Sequence, residues 1–450
     1  MFKKWWQSLT LKNPEDNSSN DKTAFGKIIS QLTTRKPLQD IITQTNEGEL
    51  TRLLGFFTLN TLGLGAIIGA GIFTTIGNAA ANFAGPAEIL SLLIGAVPAF
   101  LTALSYAEMA SMIPASGSCY TYTYTVMGEY SAWLVGWDLC LQHMCAAAAV
   151  AVAWANYLES FIEFVSSTSI DHQLLSGPVN WNVTAQEFYV TESWMCLSAV
   201  LIILCLTAII VYDVGASSLL NSIIVIAKIL ILITFICVCI KYIDPKNYHP
   251  ILPKSEGGDT YGIKGMLHAT TISFFAFIGF DSITTAAQEA TKESAKLLPL
   301  SILTSLGIAT ILYLGIASVM FGVINYKNLK GTYPIGAVCQ ITGMKWLEIL
   351  IYLAAIFGLT SVMLVNLYAQ SRIFYSISKD GLLPPVFSKM NLLKRKSEVN
   401  NTASSSSPTT TATATIKIPY SAERTITLSA EIQEANKPAG SPVWASIITG

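Results

Sequence analysis

Two stretches of this chain expose backbone polar groups inside sequence oily enough to cross a membrane. Residues 61–73 read Thr-Leu-Gly-Leu-Gly-Ala-Ile-Ile-Gly-Ala-Gly-Ile-Phe. Gly63, Gly65, Gly69 and Gly71 make this a poor continuous helix. The second stretch runs from Ser273 through Phe-Phe-Ala-Phe-Ile-Gly279-Phe280-Asp281 to Ile283. Lipid punishes unpaired peptide groups, so a helix breaks at membrane depth only where it lines a cavity. Free N–H groups and the positive end of a half-helix suit a carboxylate, while free carbonyls suit an ammonium. Two breaks of those polarities suit a zwitterion, hence an α-amino acid.

Several ionisable residues sit where hydrocarbon should exclude them. Lys228 lies in the middle of the apolar run 222–235, at a cost of about 2.5–3.5 kcal/mol on insertion scales. It reads either as a cap on the carbonyls of a broken helix or as an ammonium that replaces a coupling cation and titrates. Asp281 follows the weak point at Gly279 and is expected to act mainly as the N-cap where the chain re-enters helix, a role compatible with substrate contact. Asp138, Gln142 and His143 cluster after Gly136-Trp137. His143 reads most simply as a satisfied core residue. Glu108 and Glu129 flank the inner loop between the second and third expected helices and read as interfacial. No metal-ligand cluster, phosphate-binding loop or nucleophile–base constellation appears, so neither an enzyme nor a cofactor is expected.

The composition explains where these residues must sit. Hydrophobic residues make up 52% of the 450 and charged residues 12%, with net charge −1, which offers nothing to nucleic acid. Mean hydropathy is +0.50. Apolar runs of about 20 residues, the length that spans hydrocarbon, predict helices near 55–79, 88–110, 128–164, 193–212, 218–241, 266–287, 299–324 and 341–374. The third and eighth exceed one straight crossing and are expected to tilt or extend past the membrane. The eight cysteines have no metal-ligand spacing. Lys and Arg concentrate in the N-terminal tail and after Arg372, which places the N-terminus inside. Asn182-Val183-Thr184 then falls in an outer loop as a glycosylation acceptor.

The breaks in the first and sixth helices, four complete helices apart, predict two five-helix repeats, each opening with a discontinuous helix. The expected organisation is a cytoplasmic tail over 1–54, without the apolar core of a signal peptide, a first repeat over 55–241, and helices 6–8 of a second over 266–391. A Ser/Thr-rich polar insert over 392–440 is expected to be disordered. The last ten residues, 441–450, read as a ninth helix cut short, too brief to span a bilayer.

Four stretches carry a family resemblance. They are Gly65–Phe73; Pro114-Ala-Ser-Gly-Ser-Cys-Tyr120 with Tyr122; Phe274–Asp281; and Gln370-Ser-Arg-Ile-Phe-Tyr375 followed by Asp380-Gly-Leu-Leu-Pro384. With these in order and spacing, the chain resembles the amino acid–polyamine–organocation superfamily, within the cationic amino acid transporter family. The resemblance implies an all-α, LeuT-type 5+5 inverted-repeat bundle, here C-terminally truncated, working by alternating access. It implies that amides around Ile67, Gly69, Ala70 and Gly71 hold the substrate carboxylate. Carbonyls of Phe275, Ala276 and Ile278, beside Asp281, would hold the amino group. Phe275 and Phe280 would be gates, and Gln370 and Arg372 would pack structurally at the inner end of the eighth helix. Lys228 matches the fifth-helix lysine of proton-linked members, whose ammonium takes sodium's place; this implies sodium independence, with the proton as candidate coupling ion. Gln142 stands where many relatives carry glutamate, which argues against a cationic substrate. The expectation is a multi-pass amino acid transporter of the plasma membrane, embedded in lipid. The alternative is a non-transporting receptor with the same pocket.

Overall fold

A computed structural model describes residues 32–37, 39, 41, 52–166, 179–182, 187–190, 195–212, 214–331 and 333–388. The insert at 392–440 and the short run at 441–450 lie outside the described residues. Among those described, five helical runs are long and apolar enough to cross a membrane, which makes this an integral membrane protein.

The first run, 56–112, holds two of the expected helices. Helix α1 (Phe56–Ile67) stops where Ile68 turns extended, with ψ at 92°. The chain rewinds as a wide π turn over Gly71–Thr75, a form common at functional sites, and stays helical to Ala84. Gly85, at a φ of +63°, and Pro86 then lead directly into α2 (Glu88–Met112). The expected helix 55–79 is therefore two pieces and ends later, because π turns absorb residues that α geometry would have spent on a loop.

Helix α3 (Cys119–Val126) precedes the long α4 (Glu129–Ser166). Helices α5 (Leu197–Tyr212) and α6 (Val214–Cys239) complete the first half. Between α4 and α5, strands β1 (Val179–Asn182) and β2 (Glu187–Val190) pair antiparallel, with Trp181 opposite Phe188. This small hairpin was not expected in an otherwise helical molecule, and Asn182 of the acceptor triplet lies in it.

The sixth expected helix, 266–287, is α7 (Gly262–Phe275), an irregular turn and the single-turn α8 (Ser282–Thr285). Helix α9 (Leu298–Val323) follows as predicted. The expected helix 341–374 is shifted. A separate α10 (Pro334–Thr342) ends at Gly343, whose left-handed φ of +70° closes it, and α11 (Lys345–Lys379) then runs the full depth.

Close backbone approach brings the two breaks together. Gly279 sits at a φ of +129°. A Cβ there would lie 2.9 Å from the carbonyl carbon of Ala66, in the last turn of α1. A Cβ on Gly71 would lie 2.7 Å from that of Ala276. Both glycines are thus required by contact, and Gly279 by conformation as well. Replacing Gly279 with Ala should destabilise the fold by about 1–3 kcal/mol. Gly307→Ala in α9, where a Cβ meets nothing within 4 Å, is the control. Thermal unfolding of the detergent-solubilised protein should separate the two; equal stability would refute the close contact.

Candidate binding site at two helix breaks

Breaking a helix releases carbonyls on one side and amides on the other. Here the carbonyls are claimed by side chains from distant helices. The Lys228 ammonium on α6, fully buried, donates to the Ile68 carbonyl at 2.7 Å and to that of Gly65 at 3.3 Å. It also reaches the Ser361 hydroxyl of α11 at 3.4 Å. Ser361 donates to Asn221 Oδ1, and Asn221 Nδ2 donates to the Thr61 carbonyl, closing the network onto α1. Lys228 thus stands as a cap on the broken end of α1.

Tyr313 of α9 performs a similar task for both breaks. Its buried hydroxyl lies 2.7 Å from the Ile67 carbonyl and 2.9 Å from that of Ala276. One hydroxyl proton serves two acceptors, so these carbonyls retain capacity for a further donor. The Ile278 carbonyl accepts no hydrogen bond among the described residues, whereas that of Phe275 accepts the Ile278 amide at 3.3 Å.

The amides across the first break are open. Ile72 and Phe73 donate back to the Gly69 carbonyl, at 3.2 and 3.4 Å, but the N–H groups of Gly69, Ala70 and Gly71 have no acceptor among the described residues. Ile67, Gly69, Ala70 and Gly71 therefore come together with Ala276 and Ile278, giving open donors beside underused acceptors.

Three expectations are corrected by placement. The Phe275 side chain is 66% exposed whereas that of Phe280 is buried, so Phe275 does not close the site as expected. Asp281 occupies the N-cap position of α8 but takes helical angles, φ −60° and ψ −29°, and makes no capping bond. A cap needs extended geometry to swing its oxygen onto the next amides, so Asp281 Oδ1 is instead left buried without a partner. Asp138 and Gln142 are exposed on α4 while His143 is buried, so the three do not form one cluster. His143 Nδ1 pairs with Asn366 Oδ1 of α11 at 2.8 Å, and its Nε2 has no partner.

Aromatic rings close the breaks on both sides. The buried Phe280 ring meets Tyr106 of α2 edge-on at 5.8 Å, and Tyr106 meets Tyr122 of α3 at 6.3 Å. On the other side, Tyr157 of α4 donates to the Phe73 carbonyl and contacts Tyr333, which stacks on Tyr352 at 4.2 Å. Tyr313, Glu289 and Tyr106 were missed by sequence reasoning; the only signal was a polar group within or beside an apolar run.

A buried ion pair ties α11 to the segment that follows α8. Arg372 Nε lies 2.6 Å from Glu289 Oε1, and Tyr368 donates to Oε2 at 2.9 Å. The Glu289 carbonyl accepts the amides of Leu53 and Leu54, both at 2.9 Å, so the pair anchors the entry to α1. Gln370 donates to the Cys140 carbonyl of α4. Glu289→Ala leaves Arg372 buried without its counter-charge and should cost about 3–5 kcal/mol. The double variant with Arg372→Ala should lose less than the sum of the singles; strict additivity in chemical denaturation would argue against the pair.

A family model described as amino acid permease matches residues 54–409. The branched-chain amino acid permease BcaP of Bacillus subtilis (strain 168) is 39% identical over 359 residues, 79% of this chain and 74% of its own. The methylthioribose transporter of the same organism is 36% identical, covering 81% and 75%. Cationic amino acid transporter 9, chloroplastic, of Arabidopsis thaliana is 33% identical, covering 78% and 60%. Among solved structures, Mhp1, a nucleobase–cation symport-1 family transporter in a closed conformation with bromovinylhydantoin bound, superposes with a TM-score of 0.50. It shares 14% identity and covers 78% of this chain and 70% of its own, a likeness of fold alone.

Proposed function

Because the chain belongs to the amino acid permease family, we propose that it is a secondary transporter that moves α-amino acids across a membrane by alternating access. The observation that carries this reading is the pair of abutting breaks with open amides on one side and underused carbonyls on the other. The substrate carboxylate is held by the amides of Gly69, Ala70 and Gly71, next to Ile67. The substrate ammonium is held by the carbonyls of Ala276 and Ile278 with that of Phe275, near Asp281. Phe280 acts as the inner gate, supported by its burial against Tyr106.

Substrate and transporter exchange partners in this scheme. The Tyr313 proton cannot satisfy both carbonyls at once, so an arriving ammonium supplies the missing donors. Lys228 occupies the Gly65 and Ile68 carbonyls that a metal cation would otherwise take, which favours sodium-independent transport. Loss of its proton would weaken that cap, and this is the proposed route for coupling to protons.

Full-length protein in liposomes should show counterflow of radiolabelled amino acid without sodium. Binding without exchange would support a receptor instead, and comparison of arginine, leucine and alanine would define the substrate class. Lys228→Met should abolish uptake driven by a pH gradient, and equal wild-type uptake with and without the gradient would rule out proton coupling. Gly71→Ala, which forces a methyl against Ala276, should lower kcat/KM by on the order of ten- to a hundredfold by misplacing the two breaks.

A further inference from the structure

The transport scheme leaves one buried carboxyl unused. Glu88 lies in the first turn of α2, within the membrane run 56–112, and is wholly buried. Its Oε1 accepts the Ser273 hydroxyl of α7. Its Oε2 is buried with no hydrogen-bond partner. Ser91, one turn along, is the other hydroxyl beside it, but Ser91 donates to the Met266 carbonyl at 2.9 Å.

Among the described residues no cation faces this carboxyl. On α7 the titratable side chains are Lys264 and His268, both exposed, and His268 sits 3.5 Å from Asp259. On α9 there is Tyr313, committed to the two break carbonyls. The helical run 71–87 has no titratable group. Tyr261, packed on that run, donates to the Ala81 carbonyl. On α2 itself, Tyr106 and Glu108 lie several turns away. The start of α2 adds little positive field, because the Glu88 amide already donates to the carbonyls of Gly85 and Pro86. A carboxylate with one hydrogen bond and no counter-charge is unstable at this depth; such a group binds a proton instead.

We propose that Glu88 is a proton-binding site, separate from Lys228, that couples pH to the geometry of the second break. A proton from water binds Oε2 of the carboxylate, and the neutral acid keeps α2 joined to α7 through Ser273. Ser273 lies in the last turn of α7, and its carbonyl accepts the Ala276 amide at the break. Ionisation draws water to the carboxylate and loosens that turn. The role in the cycle rests on the transport reading; the protonation itself does not.

Two measurements on the full-length protein test this. Infrared difference spectra of wild type against Glu88→Gln should reveal the carbonyl stretch of a protonated carboxylic acid at neutral pH, and Ser273→Ala should shift that band. Amino acid counterflow at equal pH on both sides should decline with rising pH in wild type, approaching about tenfold per pH unit, the limit for one proton. In Glu88→Gln, which is neutral at every pH, that decline should flatten, leaving only what Lys228 contributes. A wild-type spectrum without the band, or an unchanged pH profile in Glu88→Gln, overturns the proposal. Absence of counterflow at every pH would count against the transport reading, and the infrared band would still decide the state of Glu88.

Discussion

Peptide groups released from a helix inside a bilayer need a partner from somewhere else in the molecule, or a ligand. Most of this structure can be understood as the answer to that demand at residues 65–71 and 276–281. The carbonyls ending α1 are taken by Lys228 from α6 and Tyr313 from α9. The amides beginning the next helical segment are left open. The asymmetry follows from chemistry and placement: the Lys228 ammonium can only donate, and the Tyr313 hydroxyl is directed at the carbonyls of Ile67 and Ala276.

The surrounding framework keeps the two breaks aligned. Glycine at 71 and 279 lets the backbones touch, and the left-handed conformation at 279 turns the chain away from helix. Further inward, the Arg372–Glu289 pair and the adjoining amides of Leu53 and Leu54 tie α11 to the entry of α1 and the exit of α8. The N-terminal segment adds a second tie, since Lys36 bridges Asp380 at 2.5 Å and Tyr120 donates to the same carboxylate. Both ties are polar, and each joins segments far apart in the chain.

The buried polar residues sort by whether they have a complementary partner. Lys228 donates to two carbonyls and a hydroxyl, and Arg372 pairs with Glu289 through Nε while its Nη2 is left without a hydrogen-bond partner among the described residues. Glu88, Asp281 and His143 each keep one polar atom without a partner. A buried polar atom in that condition is costly, and a carboxylate oxygen more so than a neutral group because it carries charge. Asp281 adjoins the second break directly, and Glu88 reaches it through Ser273.

Much of the architecture was legible in local sequence. Long apolar runs set the membrane helices, glycines marked both breaks, and the ordered motifs from Gly65 to Pro384 pointed to the family, because each signal is carried by residues close in the chain. Helix rotation and long-range pairing were not legible. Phe275 and Phe280 are both aromatic, yet one faces outward and the other into the bundle, a difference set by the turn between them. Asp281 has the residue type of a cap and lacks the backbone angles. Tyr313, Asn221 and Glu289 acquire their roles only through contacts made across the bundle. The sequence alone determined that two helices must break within the membrane, since glycine content and hydropathy act locally. Only the tertiary structure decided which groups satisfy the exposed backbone and which are left for a ligand, because hydrogen bonds between distant helices depend on how the whole bundle packs.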